Sequence, residues 1–180
     1  MAIKKWMLDP AHTQIEFKVK HMMISTVTGS FSEYDGNVET EGEDFMKAKV
    51  AFSVVVASLT TGNAERDAHL KGPDFFDVAK YPTITFKATR YESVDGDGSY
   101  ELYGDLTVKE VTRNIKLDVE FGGVVKDPWG NTKAGFTING KINRKDFGLV
   151  WNVVTEAGGI LVGEDVKIAC EAQLIEHREG

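Results

Sequence analysis

The sequence predicts an all-β protein, an extended antiparallel up-and-down barrel with a short helical insert between its third and fourth strands. Three observations predict it. Apolar and polar residues alternate with period two through most of the chain, as in strands with one face buried. The connections between these runs are short and carry turn residues, which favours sequential antiparallel pairing and a sandwich or barrel. One stretch alone, Gly62 to Pro82, breaks the alternation with helix formers.

The elements follow in order. Ile15, Phe17 and Val19 alternate with Gln14, Glu16, Lys18 and Lys20 as a first half-buried strand, and Gly29 reads as a turn. Phe31 is out of step with Tyr34 and Val38, a mismatch that a bulge would repair. In Ala48 to Ser58, Val50, Phe52, Val54 and Val56 share one parity while Ala51 and Val55 add apolar character to the other. Such a strand needs cover on both faces, and the following insert is expected to supply it. Asn63 is the expected helix N-cap, with Glu65 and Asp67 near the positive end of the dipole and Gly72-Pro73 as the stop. Asp74 is expected to cap a second short turn through Phe75-Phe76.

After Pro82 the alternation returns in Ile84, Phe86 and Ala88, then in Tyr100, Leu102, Leu106 and Val108, with Asp95-Gly96-Asp97-Gly98 as a hairpin turn. Lys109-Glu110 is a tight connection to Ile115, Leu117, Val119 and Phe121. Gly122-Gly123 and Asp127-Pro128-Trp129-Gly130 read as interruptions. Asn139-Gly140 has hairpin chemistry, but Phe136, Ile138 and Ile142 keep one parity through it, so the strand is expected to continue. Asp146-Phe147-Gly148 reads as a bend, Leu149 to Val154 as a short strand and Gly158-Gly159 as a turn. Val166 to Leu174 is the long last strand, and Cys170 shares its inward parity as a buried, inert thiol.

Composition narrows the function. With 180 residues, 42% hydrophobic and 27% charged, the chain has a globular composition and is expected to form one domain. A net charge of −7 and no basic run argue against a nucleic-acid partner, whose phosphates need Lys and Arg. The single cysteine excludes an internal disulfide and an all-thiolate zinc site within one chain. No apolar run approaches a transmembrane span. Trp6-Met7-Leu8 is too short for the core of a secretory leader, so the expected compartment is cytoplasmic, or periplasmic where a leader has been trimmed.

The chemistry-bearing motifs are few. His12, His21, His69 and His177 have no metal-ligand spacing. Asp95 to Ser99 resembles the start of a calcium loop, but Tyr100 stands where that loop needs Gly and Leu106 where it needs its bidentate Glu. No metal, cofactor or catalytic residue is therefore expected. Arg66, Asp67 and His69 form the best polar group, with Arg66 and His69 on one helix face. They either anchor the helix to the barrel or meet a polar ligand head at its mouth, for which Arg has matching donors. An enzyme using this group, with His69 as acid or base, is the alternative. The inward Phe17, Phe52, Phe86, Phe121 and Phe136 describe either a filled core or an apolar ligand space.

Several stretches carry a resemblance: Trp6-x-Leu-Asp-Pro-Ala-His12, Thr61-Gly-Asn-Ala-Glu-Arg-Asp-x-His-Leu70, Phe75-Phe76-Asp-Val-x-x-Tyr-Pro82-x-Ile-x-Phe86, Gly104-Asp-Leu-Thr107 and Asn143-Arg-Lys-Asp-Phe-Gly148-Leu. In these residues, in order over almost the whole chain, the sequence resembles the YceI-like family of lipocalin-like barrels. The resemblance implies an internal tunnel that binds, stores or transports a long-chain isoprenoid or fatty-chain lipid, frequent homodimers and no established catalytic activity. Phe17, Val19, Phe31, Phe52, Val54, Arg66, His69, Phe75, Phe76, Phe86, Phe136 and Trp151 are then the expected ligand contacts.

Overall fold

The computed structural model describes residues 3–22, 24–42, 44–94, 98–151 and 162–177. The strands are β1 (Ile3–Leu8), β2 (Gln14–His21), β3 (Ser25–Phe31), β4 (Tyr34–Glu41), β5 (Asp44–Val55) and β6 (Leu59–Thr60). After the helix α1 (Ala64–Lys71) come β7 (Thr83–Ser93), β8 (Ser99–Val108), β9 (Val111–Lys126), β10 (Thr132–Asn143) and β11 (Val162–His177). Every pairing is antiparallel. The order β1-β4-β5-β7-β8-β9-β10-β11 closes through a β1–β11 pairing into an eight-stranded barrel. An eight-stranded barrel leaves an interior just wide enough for side chains or one small ligand.

The first three long strands are each broken. Strand β11 pairs with β1 at Leu174–His177 and with β2 over most of its remaining length, so β1 and β2 lie end to end along one edge. Pro10 has no N–H to give the ladder, and the chain makes a 3-10 turn over Pro10–His12 between them. Strands β3 and β4 part at Ser32-Glu33, a break rather than the expected bulge. A 3-10 turn at Val56–Ser58 separates β5 from β6. The outer halves β2, β3 and β6 extend one end of the barrel. There β6 pairs with β3, and the chain between β6 and β7 carries α1 and the Phe75-Phe76 turn.

Asp9 fastens the first break. Its carboxylate accepts from Ala11 N at 3.1 Å, meets His12 Nδ1 at 2.8 Å and accepts from Lys133 Nζ at 2.9 Å. Burial raises the Asp9 pKa, but the hydrogen bonds from His12 and Lys133 outweigh it and hold the carboxyl below its ordinary range. Part of the Leu-Asp-Pro-Ala-His motif thus holds the fold.

Much of the alternation reads through. Strand β10 passes straight through Asn139-Gly140, and Lys109 and Glu110, at φ 51° and 68°, form the two-residue turn between β8 and β9. The helix begins where expected, with Asn63 Oδ1 accepting from Arg66 N at 3.0 Å. Asp146-Phe147-Gly148 lies at the end of a 3-10 turn, with Gly148 left-handed at φ 79°.

Other expectations need correction. Gly29 is inside β3, because the Phe17 ring of β2 lies over it: a Cβ there would stand 2.2 Å from Phe17 Cζ. Gly122-Gly123 is a bulge within β9, where Gly135 pairs with Gly123 and Phe136 with Phe121. The helix packs on β6 and leaves Ala51 on the outer face of β5 exposed, so it does not cover that face. The expected short turn through Phe75-Phe76 forms, but Asp74 spends its carboxylate on His69 instead of capping it. Leu149 to Trp151 are not strand; the rest of that expected strand, the Gly158-Gly159 turn and residues 95–97 of the hairpin lie outside the described residues. Strand β1 went unread, although its Trp6 is among the most buried side chains, at 1% exposure.

Candidate ligand-binding cavity

The inward positions of the strands enclose an elongated cavity of about 290 Å³, at the small end of the range for ligand pockets. One end is a floor of aromatic rings. Phe45 of β5 lies 5.1 Å from Trp6, 5.4 Å from Phe121 and 5.0 Å from Phe136, centroid to centroid. These separations are typical of packed aromatic pairs. The one polar atom of the Trp6 ring is satisfied, because Nε1 donates to Thr40 Oγ1 at 2.9 Å.

The walls are almost wholly hydrocarbon. Alternation supplies Leu102, Leu106 and Val108 from β8, Ile115, Leu117 and Val119 from β9, and Ile138 and Ile142 from β10. Small residues make room for large ones. Phe86 of β7 crosses Gly104 of β8, where a Cβ would meet Phe86 Cζ at 2.3 Å. At the end opposite the floor stand Leu70, Phe75, Phe76, Phe147 and Leu149, contributed by the chain around α1 and by the turn after β10.

Few polar groups reach the wall. Tyr91 donates its hydroxyl to Ala48 O at 2.7 Å, across a part of the β5–β7 seam where the two strands no longer pair. Burial pushes the Tyr91 hydroxyl up to about 12, raises Tyr100 further, and pushes the Cys170 thiol up to about 11. All three are neutral at physiological pH. Arg144 is the exception. It is 3% exposed and forms part of the cavity wall.

Of the expected contacts, Phe17, Val19, Phe31, Phe52, Val54, Phe75, Phe76, Phe86 and Phe136 line the cavity. Arg66, His69 and Trp151 do not. Arg66 turns back on its own loop, donating from Nε to Thr61 Oγ1 at 2.7 Å and from Nη2 to Thr61 O at 2.8 Å. Asp67 accepts from Thr61 N at 2.8 Å and from Thr61 Oγ1 at 2.5 Å. His69 faces elsewhere: Nε2 meets Asp74 Oδ2 at 2.8 Å, and its ring lies 4.6 Å from Trp151 and 5.1 Å from Phe75. The three polar residues therefore do not converge. Arg66 and Asp67 brace the Thr60–Gly62 corner, while His69 and Trp151 back Phe75 from outside.

Sequence reasoning assigned no role to Arg144, although a signal was there. Ile138, Ile142 and Arg144 share one parity, so Arg144 is the next inward position after Ile142. Among the described residues, no three His, Cys, Asp or Glu side chains gather into a metal site, and no helix is long and apolar enough to cross a membrane.

The chain as a whole is similar to known proteins. The profile of the YceI-like domain matches residues 6–174. The UPF0312 protein SA2479 of Staphylococcus aureus strain N315 is 39% identical over 166 residues, 92% of this chain and 94% of that protein. Among solved structures, the Campylobacter jejuni YCEI protein superposes with a TM-score of 0.70 at 35% identity, covering 89% of this chain and 90% of that one. A polyisoprenoid-binding domain from Saccharophagus degradans shares the fold at a TM-score of 0.65 and 15% identity, covering 96% and 98%.

Proposed function

The chain belongs to the YceI-like domain family, and from that premise we propose that it binds one long-chain lipid, isoprenoid or fatty-chain, as a carrier or store. The observation that carries this reading is the cavity, a closed aromatic floor under hydrocarbon walls. The same fold in the polyisoprenoid-binding domain of Saccharophagus degradans supports it.

The energetics favour a long chain over a short one. Each buried methylene contributes about 0.8 kcal/mol, so ten contribute about 8 kcal/mol. Association costs roughly 4–15 kcal/mol in lost freedom, so a short chain gains little and a long one binds. No catalytic step enters the reading, since Arg66, Asp67 and His69 are engaged in separate contacts away from the cavity.

The test is delipidation followed by reloading. Protein stripped with organic solvent, refolded and mixed with a long isoprenoid alcohol is passed over a sizing column, and the protein fraction is extracted. Retention of lipid near one per chain is expected. Folded protein that emerges empty at every lipid concentration contradicts the proposal.

A further inference from the structure

In a closed barrel each strand is hydrogen-bonded on both sides, and that closure removes the sheet edges. The seam between β5 and β7 departs from this rule. Its ladder runs from Val55–Thr83 to Ala51–Lys87 and stops there, although β5 reaches back to Asp44 and β7 runs on to Ser93. Each strand keeps its other neighbour beyond that point. Strand β5 pairs with β4 as far as Asp44, and β7 with β8 as far as Ser93. The sheet therefore splits between two strands that both stay extended. A register shift lies on each side of the split, between Ala88 and Arg90 on β7 and between Glu39 and Glu41 on β4. Shifts of this kind bend a strand and raise its twist, which carries the two edges apart.

Among the described residues, the hydrogen bond that crosses the split is Tyr91 Oη to Ala48 O, at 2.7 Å. On the cavity side, Ala48, Val50, Tyr91 and Tyr100 form the wall, with the two tyrosine rings 5.8 Å apart. On the solvent side, Lys49, Arg90 and Glu92 are exposed. Charged side chains along an unpaired edge oppose pairing with another chain, so the split does not suit a docking strand. Here a side chain, rather than a backbone ladder, holds the wall together.

On the lipid-binding reading above, we propose that this split is the gate through which the hydrocarbon of the lipid enters and leaves the cavity, with Tyr91 as its latch. Release of the Tyr91 hydroxyl from Ala48 O lets the two edges move apart while the β4–β5 and β7–β8 ladders stay intact. Parting β8 from β9, or β10 from β11, would instead break a long run of backbone bonds.

The experiment locks the gate from outside. Lys49 and Arg90 follow Ala48 and precede Tyr91 on the solvent side of their strands. The double variant Lys49→Cys with Arg90→Cys is bridged by a short bis-maleimide that contains a reducible disulfide, and the bridge is verified by peptide mass. Loading and release of a fluorescent hexadecyl lipid are followed by stopped flow before bridging, after bridging and after reduction. Bridging is expected to abolish loading and to trap lipid already bound, and reduction to restore both. Each single-cysteine variant carrying the reagent is expected to load normally. A bridged protein that loads as fast as the unbridged one overturns the gate and leaves the lipid reading standing. Equal slowing by the reagent on a single cysteine also overturns the gate. An unbridged protein that takes up no lipid overturns both. Tyr91→Phe removes the latch and should speed release roughly two- to tenfold, the worth of one net hydrogen bond. A folded variant with unchanged release overturns the role of Tyr91. Should that variant not fold, the bridged protein decides alone.

Discussion

Cys170 offers a direct probe of how well the barrel wall is sealed. It is the only cysteine in the chain and it lines the cavity on β11. Burial pushes its thiol from an ordinary 9.0 up to about 11. At pH 8 an ordinary thiol of that kind is ~9% thiolate and Cys170 ~0.1%, a hundredfold difference in the reactive species. A more basic thiolate is intrinsically a better nucleophile, which returns a factor of roughly ten. Native Cys170 is therefore expected to react about tenfold more slowly than the same thiol in unfolded protein, before any barrier to reagent entry. The assay is the absorbance change with a disulfide reagent at pH 8, in buffer and in urea. Loading the cavity with lipid should slow the native reaction further. A native rate equal to the unfolded rate would refute both the dry wall and the inward parity of β11.

Three further expectations concern the scaffold that shapes the cavity. Trp6→Phe removes the Nε1 donor to Thr40 and part of a ring packed on Phe45, and should cost about 1–3 kcal/mol in urea unfolding. Gly104→Ala places a methyl 2.3 Å from Phe86 Cζ and 2.7 Å from Lys87 O, and should destabilise by about 1–3 kcal/mol. Adding Phe86→Leu should recover part of that loss, and strict additivity would show that the ring is not the obstacle. Asp9 has a folded pKa below its unfolded value near 3.8, so it contributes stability above that pH, and the contribution is lost as pH falls through the lower folded value. Asp9→Asn should cost about 1–3 kcal/mol at pH 7 and flatten the acid limb of the stability profile. An unchanged acid limb would remove Asp9 from the account.

Alternation carried most of the barrel because each strand has one face on the cavity and one in solvent. The inward phenylalanines were legible for that reason, as were the turns at Lys109-Glu110 and the cap at Asn63. Strand β1 was hidden because Lys4-Lys5 and Asp9-Pro10 crowd a six-residue strand, leaving Trp6 and Leu8 too little room to establish a period. Gly29 was read as a turn, and Gly122-Gly123 as an interruption between strands, because a glycine under an aromatic ring, or in a bulge, looks the same locally as one where a strand ends. Of the two readings open for Arg66, Asp67 and His69, the contacts bear out the anchoring one and not the ligand head. Helical spacing says which residues share a face, but the loop residues Thr61 and Asp74 captured these side chains, and no local pattern encodes that. Arg144 was overlooked because a charged residue at an inward position looks like the end of a strand.

Native mass spectrometry of the protein purified without detergent tests the central claim most directly. The account predicts a second population heavier than the bare 19.9 kDa chain by the mass of a single long-chain lipid, released on mild activation and recovered by organic extraction. A folded protein that shows only the bare chain mass, and still does after incubation with long-chain lipids, would contradict it.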